Sequence, residues 1–312
     1  MSFRTTLVGL GLVGSSLGLA LKGTGADLEI IGHDKDSDAA RRAYKSGCVD
    51  RTEWNLINAC EGADLIIIST PLADVKSTLA AIAQDVKPGC VITDTASLKV
   101  PVLDWARESL PSTVHFVGGH PIINKRDSEP TVPTADLFTG SVYCLTPSTS
   151  TPPEALQKVS DLAEAVGARP YYMDAAEHDG LIAAVEQLPL LMALALQTTA
   201  GQSPAHREMR QLSGIDFASV TRLLAGDAEG LAELCTLNAV NLARWLDVIL
   251  PQLSVLRDLV ANKDDTALQK SFASALEAHA GWTRKGEEGE PTDYDDFSMA
   301  RTIFGGAFKP PK

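Results

Sequence analysis

The chain has 312 residues, 45% of them hydrophobic and 21% charged, with a formal net charge of -13. That length points to two domains of ordinary globular composition, and the acidity argues against nucleic acid or an anionic membrane as a partner. The longest apolar run, Leu188 to Leu196, is broken by Pro189 and falls short of the ~18 residues a membrane span needs. The first residues run straight into a strand-like stretch without a cleavage site, so a cytoplasmic protein is expected. Cys48, Cys60, Cys90, Cys144 and Cys235 stand singly, with no CxxC and no close Cys/His cluster. They read as small buried hydrophobes in a reducing compartment, with no metal site.

Residues 5–9, TTLVG, form a short buried-strand run. GLGLVGSSLGLALK follows, with Gly9, Gly11 and Gly14 in GxGxxG spacing and Leu10, Leu12 and Val13 between them. A second strand, DLEIIGHD, ends on Asp34, about 20 residues past the last glycine. Each part has a mechanical reason. Gly9 permits the tight turn, Gly11 lets the backbone approach a pyrophosphate, and Gly14 lets the helix pack closely on the strand, while the free N–H groups of the helix end face the phosphates. Asp34 suits a ribose hydroxyl and repels a 2′-phosphate, which favours NAD; Lys35, Arg41 and Arg42 nearby keep NADP open as an alternative.

The alternation continues. ADLIIISTP (63–71) is a buried strand ending in Thr70 and Pro71, followed by an amphipathic helix. CVITDTASLK (90–99) is a strand with its exit loop, VPVLDWARESL a helix, VHFVGGHP and SVYCLTP strands, PPEALQKVSDLAEAVG a helix and ARPYYMD a last strand. Strands and helices in alternation predict a Rossmann-type doubly wound, mainly parallel sheet over residues 1–173. Ligands of such sheets sit at the carboxyl ends of the strands, where Thr70, Pro71, the 94–99 loop and His120 are expected. Beyond residue 174 the strand signals stop. Long helical patterns over 174–285, kinked near Pro189, carry more apolar surface than one layer can bury, which predicts an all-α dimerisation domain. Residues 286–312 read as an acidic connector with an apolar end, MARTIFGGAF, able to dock.

The chain resembles the prephenate and arogenate dehydrogenases, oxidoreductases of tyrosine biosynthesis. The resemblance rests on VGLGLVGSSLGLALK, STPLADV, TDTASLK, HPI, ADLFTGSVYCLTP, EHDGLIAAVEQLP and TRLLAGD, in family order. It implies a cyclohexadienol substrate with two carboxylates. Its 4-hydroxyl loses a proton while the carbon gives hydride to the nicotinamide, and loss of CO₂ then restores an aromatic ring. His120 is placed as the base, since imidazole titrates near neutrality. Ser97 is placed to hydrogen-bond the same hydroxyl or to fix the imidazole. Lys99 reads as a positive element of the pocket or as a structural or surface residue. Arg222 matches the family arginine that grips a carboxylate through its fork of donors. A homodimer acting on a small anionic substrate is implied.

Two departures stand out. The family's Ser-His-Leu-Pro-His is EQLPL here, with Gln187 and Leu190 at the histidine positions, and Gln187 is expected in the substrate pocket as an uncharged replacement. In the loop after His120, Arg126 stands where the family has a glutamate, and NKRDSE is a candidate pocket lid. Substrate recognition is therefore expected to be rewritten around conserved chemistry. His178, His206 and His279, in polar helical contexts, read as solvated, and His33 and His115 receive no catalytic role. Two alternatives stand beside this reading. One is a related two-domain dehydrogenase for another cyclohexadienyl or hydroxy acid; its 3-hydroxyacid type relies on a lysine early in the helical half, and none occurs between Lys158 and Lys263. The other is a non-catalytic dinucleotide-binding protein. No separate regulatory domain is expected.

Overall fold

A computed structural model of the chain describes residues 2–123 and 132–283. Arg126, the proposed lid and the tail lie outside the described residues. The chain divides after Asn238 into two compact units, the second beginning at Ala239.

The first unit opens with strand β1 (Phe3–Val8), helix α1 (Leu12–Gly23), β2 (Leu28–His33), α2 (Ser37–Lys45), β3 (Arg51–Thr52), α3 (Leu56–Cys60), β4 (Leu65–Ile68), α4 (Leu72–Ile82) and β5 (Val91–Asp94). It continues with α5 (Val100–Ser109), β6 (His115–Ile122), β7 (Val142–Thr146), α6 (Pro153–Ala165) and β8 (Arg169–Tyr172). The eight strands lie in the order β3-β2-β1-β4-β5-β6-β7-β8. All neighbours pair in parallel except β6 and β7, which are antiparallel. The strand order reverses direction between β1 and β4, which opens a crevice at their carboxyl ends.

The apolar runs explain the sheet. Ile66, Ile67 and Ile68 on β4 are at most 1% exposed, with helices on both faces, and each contributes roughly 1.5–3 kcal/mol by burial. The two faces carry separate cores, one around Leu7, Leu17 and Ile30, the other around Ile66, Val75 and Leu79. α2, β3 and α3 fill the link between β2 and β4, which the sequence reading left unassigned. α2 and α3 start on side-chain caps, Asp36 accepting from the Asp38 amide and Asn55 from the Asn58 amide.

After β8 the unit is helical: α7 (Ala175–Ile182), a π-helical turn (Ala183–Gln187), α8 (Leu188–Gln202), α9 (His206–Leu212), α10 (Ile215–Thr221) and α11 (Ala228–Leu237). Asp174 starts α7 by accepting from the amides of Ala176 and Glu177. Residues Ala175–Gln202 form one continuous helix of 28 residues, with a mean hydropathy of 1.6 over its most apolar stretch. By length and composition it is apolar enough to cross a membrane, which the search for unbroken apolar runs did not anticipate. Its buried polar residues His178, Asp179 and Gln187 are nevertheless all engaged by protein partners. Pro189 lies inside this helix directly after a π-helical turn, whose wider spacing accommodates a residue without an N–H.

The second unit is a hairpin of α12 (Ala239–Ala261) and α13 (Asp265–Thr283), joined through Lys263 in the left-handed region at φ 54°. α11 and α12 are separate elements, broken at Asn238.

Candidate active site

The glycine turn comes first. Gly9 has φ +94°, and a Cβ on it would lie 2.4 Å from the Ser69 carbonyl oxygen. A Cβ on Gly14 would lie 2.0 Å from the Gly9 oxygen. Both positions exclude a side chain because β1, β4 and α1 meet there. Gly11 differs, since a Cβ there would meet nothing within 4 Å and would project into open space above the turn. The first turn of α1, from Leu12, has no side-chain cap, so its N–H groups stay available to an anion. The Thr70 hydroxyl, across the crevice beside Pro71 at the start of α4, is buried without a hydrogen-bond partner in the protein. Asp34 accepts from the Leu10 amide at 2.7 Å and from the Asp36 amide at 2.8 Å, which ties the acid to the glycine turn and leaves each oxygen a further lone pair. Lys35, Arg41 and Arg42 are paired with Asp74, Asp38 and Asp36. An empty space over Gly11, uncapped amides, an orphaned hydroxyl and an acid beyond β2 together fit a dinucleotide.

The second part forms around β6. Only His115–Val117 pair with β5; from Gly118 the strand runs past the end of β5 on β7 alone, with His120 opposite Cys144. That overhang carries His120 beyond the sheet edge. Asp94, the last residue of β5, accepts from the amides of Gly119 (3.0 Å) and Ala96 (2.9 Å) and pairs with the Lys99 ammonium. Lys99 is fully buried and also donates to the Gly119 carbonyl at 2.6 Å. A Cβ on Gly119 would lie 2.6 Å from the Asp94 carbonyl oxygen, so glycine is required for this clamp. Lys99 is therefore not a surface residue; it is a buried charge that fixes the strand one residue before His120. Burial lowers its pKa, and the Asp94 carboxylate opposes that shift.

His120 is 7% exposed. Burial, then the Lys99 ammonium and His178, hold its pKa well below the usual imidazole range, so it rests as a neutral base. Its Nδ1 lies 3.0 Å from His178 Nε2, and His178 Nδ1 lies 2.8 Å from Asp179 Oδ1. Asp179 also accepts from the amides of Lys99 (2.8 Å) and Val100 (2.9 Å) at the start of α5. A carboxylate only accepts, so His178 carries its proton on Nδ1 and accepts on Nε2. His120 must then donate from Nδ1, which leaves its Nε2 lone pair bare. On that side stands Glu186, with Oε1 3.8 Å from Nε2. Burial raises the Glu186 carboxyl to about 7.

His178 is the clearest correction. Expected to be solvated, it is 1% exposed and orients His120. Asp94, Asp179, Glu186 and Asn238 were also not singled out, although the first three lie within the TDTASLK and EHDGLIAAVEQLP motifs. Ser97 is half-buried in the 94–99 loop, while the imidazole is fixed by the hydrogen bond it donates to His178. Gln187 is 1% exposed; it donates to the Leu234 carbonyl at 3.0 Å and accepts from Asn238 at 2.7 Å. Asn238 also donates to the Asp179 carbonyl at 2.8 Å. Gln187 thus stitches the π turn to the end of α11, and both poles of its amide are used internally. Arg222 is exposed at the end of α10, which packs against α8.

Residues 17–172 match the family model of the prephenate dehydrogenase nucleotide-binding domain, and residues 174–274 that of the prephenate dehydrogenase dimerization domain. The chain is 27% identical over 291 residues to a prephenate dehydrogenase of Bacillus subtilis, covering 93% of this chain and 78% of that one. It is 28% identical over 274 residues to a cyclohexadienyl dehydrogenase of Zymomonas mobilis, covering 87% and 93%. A solved structure of prephenate dehydrogenase from A. aeolicus, in complex with hydroxyphenyl propionate and NAD+, shares the fold with a TM-score of 0.81 at 22% identity, covering 90% of this chain and 98% of that one. With a dinucleotide crevice beside an oriented imidazole, and both domain models matched in order, the chain belongs to the prephenate dehydrogenase family of oxidoreductases.

Proposed function

We propose that the chain catalyses the NAD-dependent oxidative decarboxylation of prephenate, or of its amino counterpart arogenate, to 4-hydroxyphenylpyruvate or tyrosine. The observation that carries the reading is the bare Nε2 of His120, held by the chain of His178 and Asp179 at the sheet edge that the glycine turn also faces. NAD, when bound, supplies the acceptor for the hydride of the carbinol carbon. Gly9 to Gly14, Asp34, Thr70 and Pro71 would hold it, and the acid with its paired basic neighbours favours NAD over NADP.

His120 takes the hydroxyl proton on Nε2. His178 and Asp179 keep the other nitrogen protonated and the ring fixed, which raises the population of the productive tautomer. Lys99 and Asp94 hold the strand beneath it. Ser97 is assigned to the same hydroxyl, and Arg222, with Arg126, to the substrate carboxylates. Gln187 supports the pocket wall rather than the substrate. Apolar residues left exposed on α8 to α11, such as Leu212 and Ile215, favour a homodimer through the helical half, and the free cysteines favour the cytoplasm.

The test is formation of reduced nicotinamide and release of CO₂ with prephenate and with arogenate, each against NAD and NADP. Turnover with NAD on at least one substrate is expected. No turnover with any of the four pairs would end the proposal.

A further inference from the structure

Glu186 has no place in the mechanism so far, yet among the described residues its carboxylate lies within ion-pair distance of the reacting nitrogen. We propose that Glu186 is the counter-charge that holds the abstracted proton on His120 until it returns to the product oxygen; this rests on the reaction proposed above. Glu186 would not touch the reacting atoms and would act through His120.

Proton bookkeeping motivates the assignment. The substrate O–H bond breaks, and its proton forms a new bond to His120 Nε2 as the carbinol carbon is oxidised to a ketone. When the C–C bond to the ring carboxylate breaks, its electron pair passes through the ring to that ketone oxygen, leaving a phenolate. The phenolate takes a proton to become a phenol. The proton borrowed at the first step is therefore needed at the same oxygen at the last, and no net proton leaves the site. Between the two steps the imidazolium has to survive in place.

The surroundings of His120 oppose that imidazolium. From the β5–α5 side Lys99 presents a buried ammonium, with Asp94 spent on clamping it. From α7, His178 faces Nδ1, and Asp179 is spent on His178 and two amides. From β7 comes Cys144, whose thiol is pushed up to about 11, mainly by burial and in part by Glu186 itself. Glu186 alone among these groups lies toward Nε2, 3.8 Å away, with its side chain 39% exposed. That distance is an ion-pair separation, slightly beyond hydrogen-bond contact, and closes with a small rotamer adjustment. The π-helical turn supplies the geometry, since its extra residue sets the local register of Glu186 between the buried Ala183 and Gln187.

The experiment compares wild type with Glu186→Gln and Glu186→Asp in the full chain, reading kcat and KM against pH and the His120 imidazole resonances by NMR titration. In Glu186→Gln, kcat is expected to fall roughly tenfold with KM nearly unchanged. With the Glu186 carboxyl raised to about 7, its ionisation should put a limb near that pH on kcat and a step on the His120 resonances in wild type, and Glu186→Gln should lose both. Glu186→Asp keeps the charge on a shorter arm and is expected to recover part of both. A higher KM confined to arogenate, with an unmoved pH profile, would make Glu186 an ammonium contact and overturn the assignment. The titration needs no turnover: a His120 step near pH 7 that survives in Glu186→Gln overturns this assignment, whereas an inactive wild type overturns the reaction.

Discussion

At the scale of single residues, the relay from Asp179 through His178 to His120 sets which nitrogen is bare, so its members should fail differently. His120→Asn removes the base and is expected to lower kcat by about 10²–10⁴-fold, with NAD affinity, measured by calorimetry, unchanged. Asp179→Asn keeps the shape but adds a donor where His178 donates, which unsettles both tautomers. Its kcat is expected to fall at least tenfold, and its Tm should also drop, because the carboxylate receives two amides at the start of α5. A Tm loss without a kcat loss would remove the relay from the mechanism. The depressed pKa of His120 has a sign that can be checked. The base stays neutral as pH falls below the ordinary imidazole range near 6.5, so the limb of activity set by His120 itself should lie below that value. In stability, the unfolded chain takes up its proton first. The contribution of neutral His120 is present above about 6.5 and is lost as pH falls toward the folded pKa. His120→Asn should flatten that part of the Tm–pH curve. His120 was legible in the sequence because Gly-Gly-His-Pro falls at a strand end. His178 was not, because a polar histidine beside an aspartate reads as solvent-facing until α7 is seen packed against α5.

At the scale of elements, the three glycines of the turn separate folding from binding. Gly9→Ala forces a left-handed residue against the Ser69 carbonyl and should cost ~2 kcal/mol or more, read as a lower denaturation midpoint. Gly11→Ala meets nothing in the protein, so its midpoint should stay at the wild-type value while NAD binding weakens at least tenfold, because the methyl takes the space the phosphates need. Equal affinity in Gly11→Ala and wild type would show that the cofactor does not cross that turn. The strand–glycine–helix–strand unit was readable because each part has its own local signature. The short links α2, β3 and α3 were not, since two-residue β3 is a strand only through its pairing with β2. Gln187 was misread for a similar reason. Its motif position pointed to the pocket, and only the tertiary arrangement reveals Leu234 and Asn238 as its partners.

At the scale of the whole molecule, the helical half leaves large side chains in water. Leu212 and Ile215 are 85% and 80% exposed. The expected homodimer would cover such residues, and Leu212→Glu with Ile215→Glu should shift the sedimentation profile from dimer to monomer. A wild-type chain that sediments as a monomer would refute the dimer. The π turn has a consequence for how this protein can change over evolutionary time. The 28-residue helix from Ala175 to Gln202 contains one residue more than an even α-helical pitch would hold there. Losing a single codon in that turn would close it to ordinary α pitch and leave the helix on either side facing as before, while Glu186 and Gln187 would lose the positions the wide turn gives them. For this pocket, a one-residue deletion in the wide turn displaces two side chains at once, so the length of one helix is inherited together with the identity of the side chains it carries.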